Sequence, residues 1–374
     1  MATTPDWADL TREDRVTVTM VSPTDVGQSY GTLEGVDLSA SSLTCGYYTD
    51  TRTGGEVRVV GDGWVRGSML RVTHEVPEWG WSRDLGTYIV TADPSERVGG
   101  EWVTDLRLDS RLYGLSVDRL VRPWTIARGA RAVRAMEDVL RGSGGIQWRM
   151  LSPRDMTYKS ARAVESGTTR LAALFDICSA SRNRLDVDPQ GRVTVAPYVE
   201  PSARVASYRI DLADTRGIVA DGPSRSTDWL GMSDVAAVSH RYHATSGGKS
   251  VDREIVGVAR VSAALHQSHA KRGYTVTSFR QVSELSPRTQ ARADALAKAD
   301  LAREQRELVE WQLTCCYLPL WQGDVCELVV HDGPAAYQGV RRCLVKAVDI
   351  RDLRDMTIRL TLKEVASGDK GDED

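Results

Sequence analysis

Apolar and polar residues alternate one for one in several stretches of this chain, and that period admits few folds. In Leu70-Arg71-Val72-Thr73-His74-Glu75-Val76 the even positions are mostly apolar and the odd ones polar. From Thr104 to Leu112 the even positions are Thr, Leu, Leu, Ser and Leu, and the odd ones Asp, Arg, Asp and Arg. Successive side chains of a strand point to opposite faces, so this period predicts half-buried strands, one face on a core and one on water. Val16–Val21, Thr44–Tyr48, Glu56–Val60 and Thr87–Thr91 are shorter stretches of the same kind. Gly54-Gly55, Gly61-Asp62-Gly63, Asp93-Pro94 and Gly99-Gly100 separate them as turn signals. Short strands joined by short links predict antiparallel pairing in a barrel or sandwich.

The period then changes. Val133, Met136, Val139 and Leu140 share a helical stripe, with Arg131, Arg134, Glu137, Asp138 and Arg141 outside it. Gly142-Ser143-Gly144-Gly145 ends that helix. A second helix carries Leu171, Leu174, Phe175 and Cys178 on one face. Leu185 to Asp188, Pro189-Gln190-Gly191 and Arg192 to Ala196 then predict a hairpin, and Pro197, Pro201 and Ser202 mark a link. Strands return at Asp234–His243 and Glu254–Val261, around the tip Ser246-Gly247-Gly248-Lys249. The next helix has Ser286 as its cap, Pro287 in its first position and an Ala-rich body from Ala291 to about Glu307. Four strands close the chain: Leu308–Tyr317, Asp324–Val330, Val340–Ile350 and Met356–Val365. In the last, Met356, Ile358, Leu360 and Leu362 share one face.

These elements predict a mainly β protein with an α+β insertion. Two small antiparallel β-barrel domains flank a helix-and-hairpin unit, and one long helix precedes the C-terminal barrel strands. The expected boundaries are residues 10–120 for the first barrel, 121–205 for the small α+β domain and 206–366 for the second barrel, with its helix at about 287–307. Residues 367–374 form an acidic tail, expected to be flexible.

With 374 residues the chain can bury more than one core. Lys and Arg number 48 against 51 Asp and Glu, a net charge of −3. That balance argues against a general nucleic-acid binder, which needs a basic excess to release counterions. No window reaches the 18 or so consecutive apolar residues of a membrane span. Met1 to Asp14 is polar and acidic, with no signal-peptide core after it, so folding in a cytoplasm is expected. Six cysteines form no small-domain disulfide framework. The excess of Arg over Lys, and of Trp over Phe, reads as codon usage in a GC-rich genome.

Few residue patterns in the chain carry chemistry. Phosphate loops, dinucleotide fingerprints and nucleophile elbows are absent. His74-Glu75-Val76-Pro77-Glu78 begins like a zinc-protease motif but lacks the second His, and His74 falls on the apolar side of its strand. His240 and His243 point to opposite faces of a strand, and His266 with His269 make an incomplete metal site. Asp186 and Asp188, like Asp349, Asp352 and Asp355, read as turn chemistry. Cys315, Cys316, Cys326 and Cys343 cluster in the last strands, where four thiolates can hold zinc or an iron–sulfur cluster. They include no Cys-x-x-Cys pair, and Cys326 alternates with Leu328 and Val330 as a core residue does. No catalytic residue, cofactor or metal site is therefore assigned. Trp79 and Trp81, in a Pro-Glu-Trp-Gly-Trp loop, are the best candidates for sugar stacking or partner anchoring. The alternative is that Trp supplies bulk in a chain with two Phe.

Several passages taken together resemble a known family. They are Gly100-Glu101-Trp102 running into Asp105 to Tyr113, and Arg184 to Val193 after a helix beginning near Thr168. The C-terminal stretch adds Trp311-Gln312-Leu313, then Leu318-Pro319-Leu320-Trp321-Gln322-Gly323-Asp324-Val325, then Met356 to Leu360. They resemble bacteriophage tail hub proteins: baseplate hubs, minor tail proteins and the N-terminal hub part of tail-associated lysins. The resemblance implies a homotrimer at the distal end of a tail tube, two barrels per chain forming a pseudo-sixfold ring. The implied neighbours are a distal tail protein or tail tube above and tip fibre or spike proteins below. Tape-measure protein and then DNA pass through during genome ejection, DNA only in transit and with no membrane insertion. The implied location is the virion tail tip, assembled in the host bacterial cytoplasm. Some relatives carry a C-terminal peptidoglycan-cutting domain, for which this chain is expected to have no room after its last strand. Some tail-tip relatives hold an iron–sulfur cluster. The expectation is a structural, non-enzymatic hub. A host-cell-wall or carbohydrate-binding tail component is the alternative, and a peptidoglycan hydrolase a third reading.

Overall fold

The computed structural model describes residues 6–7, 9, 11–214, 218–227, 233–246, 249–263, 268–282, 285, 288–304, 309–333 and 335–365. It divides into two compact units: Met1–Ser224 with Trp311–Asp374, and Arg225–Glu310. Gly247, Gly248, His266, Ser286, Pro287, Glu307 and segment 367–374 lie outside the described residues.

The first unit begins with β1 (Arg15–Val21), β2 (Ser29–Thr32), β3 (Val36–Gly46), β4 (Thr53–Val60), β5 (Met69–Val76), β6 (Trp81–Ala92), β7 (Ser95–Val98) and β8 (Glu101–Asp109). It continues through α1 (Leu112–Val117), β9 (Trp124–Ile126), α2 (Ala132–Arg141), β10 (Trp148–Met150), β11 (Arg162–Val164), α3 (Arg170–Ala180), β12 (Asn183–Val187) and β13 (Val193–Pro197). β14 (Tyr208–Asp211) and β15 (Val219–Thr227) lead to the second unit, which holds β16 (Val235–Ser246), β17 (Lys249–Arg260), α4 (His269–Arg272), β18 (Thr277–Gln281) and α5 (Gln290–Glu304). The chain returns through β19 (Val309–Cys316), β20 (Val325–Val330), β21 (Gly339–Asp352) and β22 (Thr357–Glu364).

The mainly β class with a helix-and-hairpin insertion is as the alternation predicts. The two strand-rich regions are nevertheless not separate sheets. One path of pairing runs β15-β19-β22-β21-β3-β4-β8-β6-β5-β1-β2, and β14, β20 and β7 join it from the side. Among the described strands the path does not close into a barrel. The join is antiparallel pairing of β21 with β3, where Val348 faces Cys45 and Ile350 faces Leu43. Alternation propagates across it, because paired residues share a face. Leu43, Cys45, Val57, Leu106, Leu108, Val348, Ile358, Leu360 and Leu362 are all buried on one side.

Within this unit a second core forms between α1, α2, α3 and the small sheet β10-β13-β12. Met136, Val139, Leu140, Leu171, Leu174 and Cys178 are buried there, the stripes that the helical spacing marks out. Thr169 caps α3 by accepting a hydrogen bond from the Ala172 amide. The hairpin expected at Leu185–Ala196 forms as antiparallel β12 and β13, whereas two pairings depart from the antiparallel expectation: β10 lies parallel to β13, and β14 parallel to β20.

In the second unit β17, β16 and β18 form a sheet on which α5 packs. Thr289 caps α5, accepting from the Arg292 amide at 3.3 Å. Gly257 lets the helix backbone come close, since a Cβ there would stand 2.1 Å from the Ala293 carbonyl carbon. Asp234 forms a buried pair with Arg272 at 3.2 Å, and its carboxylate also accepts from the Val276 amide at 2.6 Å.

Leu360→Ala should lower the unfolding free energy by about 2–5 kcal/mol, read by urea titration, because it empties a fully buried position on the core face of β22. Gly257→Val should strip amide-exchange protection from α5 while leaving β21 and β22 protected.

Candidate functional site

On the side opposite its core the large sheet carries a polar stretch across β22, β21, β3, β4 and β8, bounded at the β20–β21 end by a buried cluster of Tyr47, Val325 and Leu344. Asp349 faces both Arg359 and Thr44, Thr44 faces Gly54, and Gly54 faces Asp109. In the neighbouring rows Ser42 faces Glu56 and Glu56 faces Arg107, while Arg58 faces Asp105. Four carboxylates thus meet three guanidiniums on one surface. Arg58 and Asp105 pair at 2.7 Å, and this hydrogen bond holds the Asp105 carboxyl below its ordinary range. Asp109 accepts from the Thr91 hydroxyl at 2.8 Å, and Arg359 donates to Gln312 at 2.7 Å. Burial pushes the Asp349 carboxyl up. A cleft of about 500 Å³ opens here, lined by Thr44, Gly46, Gly54, Arg107, Asp109 and Asp349 among others. Such a surface stays wet without collecting the run of cations that grips phosphates.

The Gln322-Gly323-Asp324 turn joins the parts of the first unit. Gly323 sits at φ +82°, where its amide donates to the Val345 carbonyl at 2.8 Å. Asp324 closes the turn by accepting from the Trp321 amide at 2.7 Å, although burial raises its carboxyl pKa. Gln322 donates to Asp186 of β12 at 3.2 Å. Arg204 donates to the Gly323 carbonyl and, at 3.1 Å, to the Tyr47 hydroxyl. The guanidiniums of Arg184, Arg204 and Arg52 stand 4.6, 5.7 and 5.8 Å from the Tyr47 ring centroid. Asp186, expected as turn chemistry, thus pairs with Arg184 and ties the hairpin to this joint.

Trp79 and Trp81 are half-buried around a residue that the sequence did not single out. Trp7 packs edge-on against them at 5.2 and 4.8 Å, and against Tyr317 at 5.6 Å. Arg12 stacks on Trp7 and Trp79 and donates to the Trp7 and Tyr317 carbonyls and to Asp14. Asp14 contacts Nε2 of fully buried His74 at 2.7 Å. His74 is thus the core histidine that its place on the strand predicts. Arg12 and Asp14 precede the first alternating stretch, so period two gives no sign of this anchor.

Cys315, Cys326 and Cys343 are buried and Cys316 is partly exposed. Cys326 faces Cys343 across β20 and β21, and burial pushes its thiol up to about 12. Among the described residues, no group of three or more His, Cys, Asp and Glu side chains is placed to hold a metal ion. His240 is buried with Nδ1 at 3.1 Å from the Val282 carbonyl, whereas His243 is exposed beside Asp252.

Burial alone would raise the Asp14 carboxyl, but His74 and Arg12 together hold it below its ordinary value. A depressed carboxyl binds protons more readily unfolded, so its contribution is present above the unfolded pKa and is lost as pH falls. Wild-type protein should therefore lose melting temperature below about pH 4, and Asp14→Asn should lack that part of the acid limb. Gly323→Ala should destabilise by about 1–3 kcal/mol, read by denaturant titration, since its Cβ would meet Arg184 at 2.5 Å.

No family model and no curated protein matches the chain. Solved structures do. A tail protein from Neisseria meningitidis superposes with a TM-score of 0.64 at 13% identity, covering 94% of this chain and 97% of that one. A 43 kDa tail protein from a Shewanella oneidensis prophage gives 0.61 at 11% identity, over 94% and 98%. A prophage tail protein from Listeria monocytogenes gives 0.55 at 11% identity, over 95% of each chain. The chain has the fold of these phage tail proteins along nearly its whole length.

Proposed function

We propose that the chain is a structural protein of a phage tail tip, a ring-forming hub between the tail tube and the distal tip proteins. The observation that carries this reading is the end-to-end overlap with whole tail proteins: at least 94% of this chain and 95% of each of theirs is shared. A chain built to one plan with them, rather than borrowing one domain, suits the same place in an assembly.

The polar sheet face supports the lumen role. Tape-measure protein and DNA must slide past it, and its carboxylates and guanidiniums largely offset each other. A surface of one sign would either hold DNA phosphates or repel them at short range. The open ends of the sheet at β2 and β15 suit an assembly in which neighbouring copies protect exposed edges. The role is scaffolding, not catalysis.

The mass of the purified protein, measured by light scattering across concentrations, should approach about three times the 41.2 kDa chain. A mass of one chain at every concentration would contradict the ring.

A further inference from the structure

Charge is unevenly distributed along this nearly neutral chain. Between Leu112 and Pro197 there are fourteen basic against eight acidic side chains, and elsewhere 34 against 43. Within this stretch, Arg131, Arg134, Arg141, Arg162, Arg170, Arg184 and Arg192 all pair with carboxylates. Arg128, Arg149, Arg154 and Arg182 are exposed and have no ion pair among the described residues. Backbone contacts bring their segments together. The Gly129 amide donates to Tyr158 and the Ala132 amide to Met156, so 129–132 runs beside 156–158. Asn183 exchanges two hydrogen bonds with the Arg154 backbone, at 2.8 and 2.7 Å. Leu151, 43% exposed, lies between Arg149 and Arg154.

The complementary surface lies at one end of the large sheet. The β7–β8 hairpin turns through Gly99 and Gly100 and exposes Glu96, Val98 and Glu101 on one face and Arg97 and Trp102 on the other. Gly61 donates to the Trp102 carbonyl at 2.8 Å, and Val60 to the Gly35 carbonyl at 2.8 Å, placing exposed Asp62 and Glu34 beside the hairpin. None of these four carboxylates has an ion pair among the described residues. Val98 is 52% and Trp102 51% exposed. The arginine patch thus carries unpaired positive charge beside Leu151, and the hairpin end carries four unpaired carboxylates against the single exposed guanidinium of Arg97, beside Val98. Arginine is enriched at interfaces, and complementary charge steers two such surfaces together.

We propose that these two patches are the halves of one heterologous contact between copies of this chain. The acidic β7–β8 tip of one copy docks on the arginine face of the next. The complement of each surface is present on the same molecule, so a second copy fits both. Two different patches on one molecule meet head to tail, and such contacts close into a ring when the rotation permits. Guanidinium forks suit carboxylates, and the apolar centre excludes water from them. This contact rests on the ring reading and specifies the surfaces that build it.

Two double charge reversals test it, Glu96→Arg with Glu101→Arg, and Arg149→Glu with Arg154→Glu, by light scattering of the full chain. Each should weaken assembly at least about tenfold. The variant carrying all four reversals should regain the wild-type mass, because both halves have changed sign. That rescue separates a docking effect from misfolding. Wild-type mass in both double variants, or failure of the four-fold variant to recover, would overturn this contact and leave the ring standing. A wild-type protein of single-chain mass at every concentration would remove the ring reading and this contact together.

Discussion

The first unit depends on the way three arginines share the Tyr47 ring. Arg184 arrives from the inserted helix-and-hairpin part, Arg204 from the link after it and Arg52 from the turn after β3. Gly323 leaves the space that they occupy, since any side chain there would collide with Arg184 and Tyr47. Half-burying three guanidiniums costs hydration, which the Tyr47 ring, the Gly323 carbonyl and the Asp186 carboxylate offset. The joint therefore fixes the insertion against the sheet through directional contacts rather than through apolar area alone. It also gives a physical account of why Gln, Gly and Asp stand together before β20: one reaches Asp186, one makes room and one closes the turn.

The joint sits beside the larger constraint, a single sheet whose strands β22, β21, β3, β4 and β8 are apolar on one face and polar on the other. Pairing of β3 with β21 makes the alternation of the N-terminal strands continuous with that of the C-terminal ones. A shift of one residue at this seam would turn every apolar side chain of one half toward water. The buried rows on both sides of it hold the register, and the polar face follows without further design. Its lumen role in a ring would come from the same alternation that builds the core.

Most elements were legible because their periods are strong. Met356, Ile358, Leu360 and Leu362 are all fully buried, and the helical stripes at Val133 to Leu140 and Leu171 to Cys178 form the second core. The seam was not legible, because pairing between Leu43 and Ile350 joins residues some 300 positions apart and leaves no local mark. The parallel pairings of β10 and β14 involve strands of three and four residues, too short to show a period. Among the candidate site residues, His74 was placed correctly by parity alone. Trp79 and Trp81 were visible as a loop pair, but their partner Trp7 was not, since Trp7, Arg12 and Asp14 lie in a segment without period. The charge asymmetry was open to counting throughout, but only the structure separates arginines that are paired from those that are not.

The central claim is that the polar sheet face lines a passage. A three-dimensional reconstruction of the purified assembly by electron cryomicroscopy tests it most directly. The account predicts a closed ring with Thr44, Arg107 and Asp349 facing the lumen. A ring with that face on its outer rim, or buried between subunits, would contradict it.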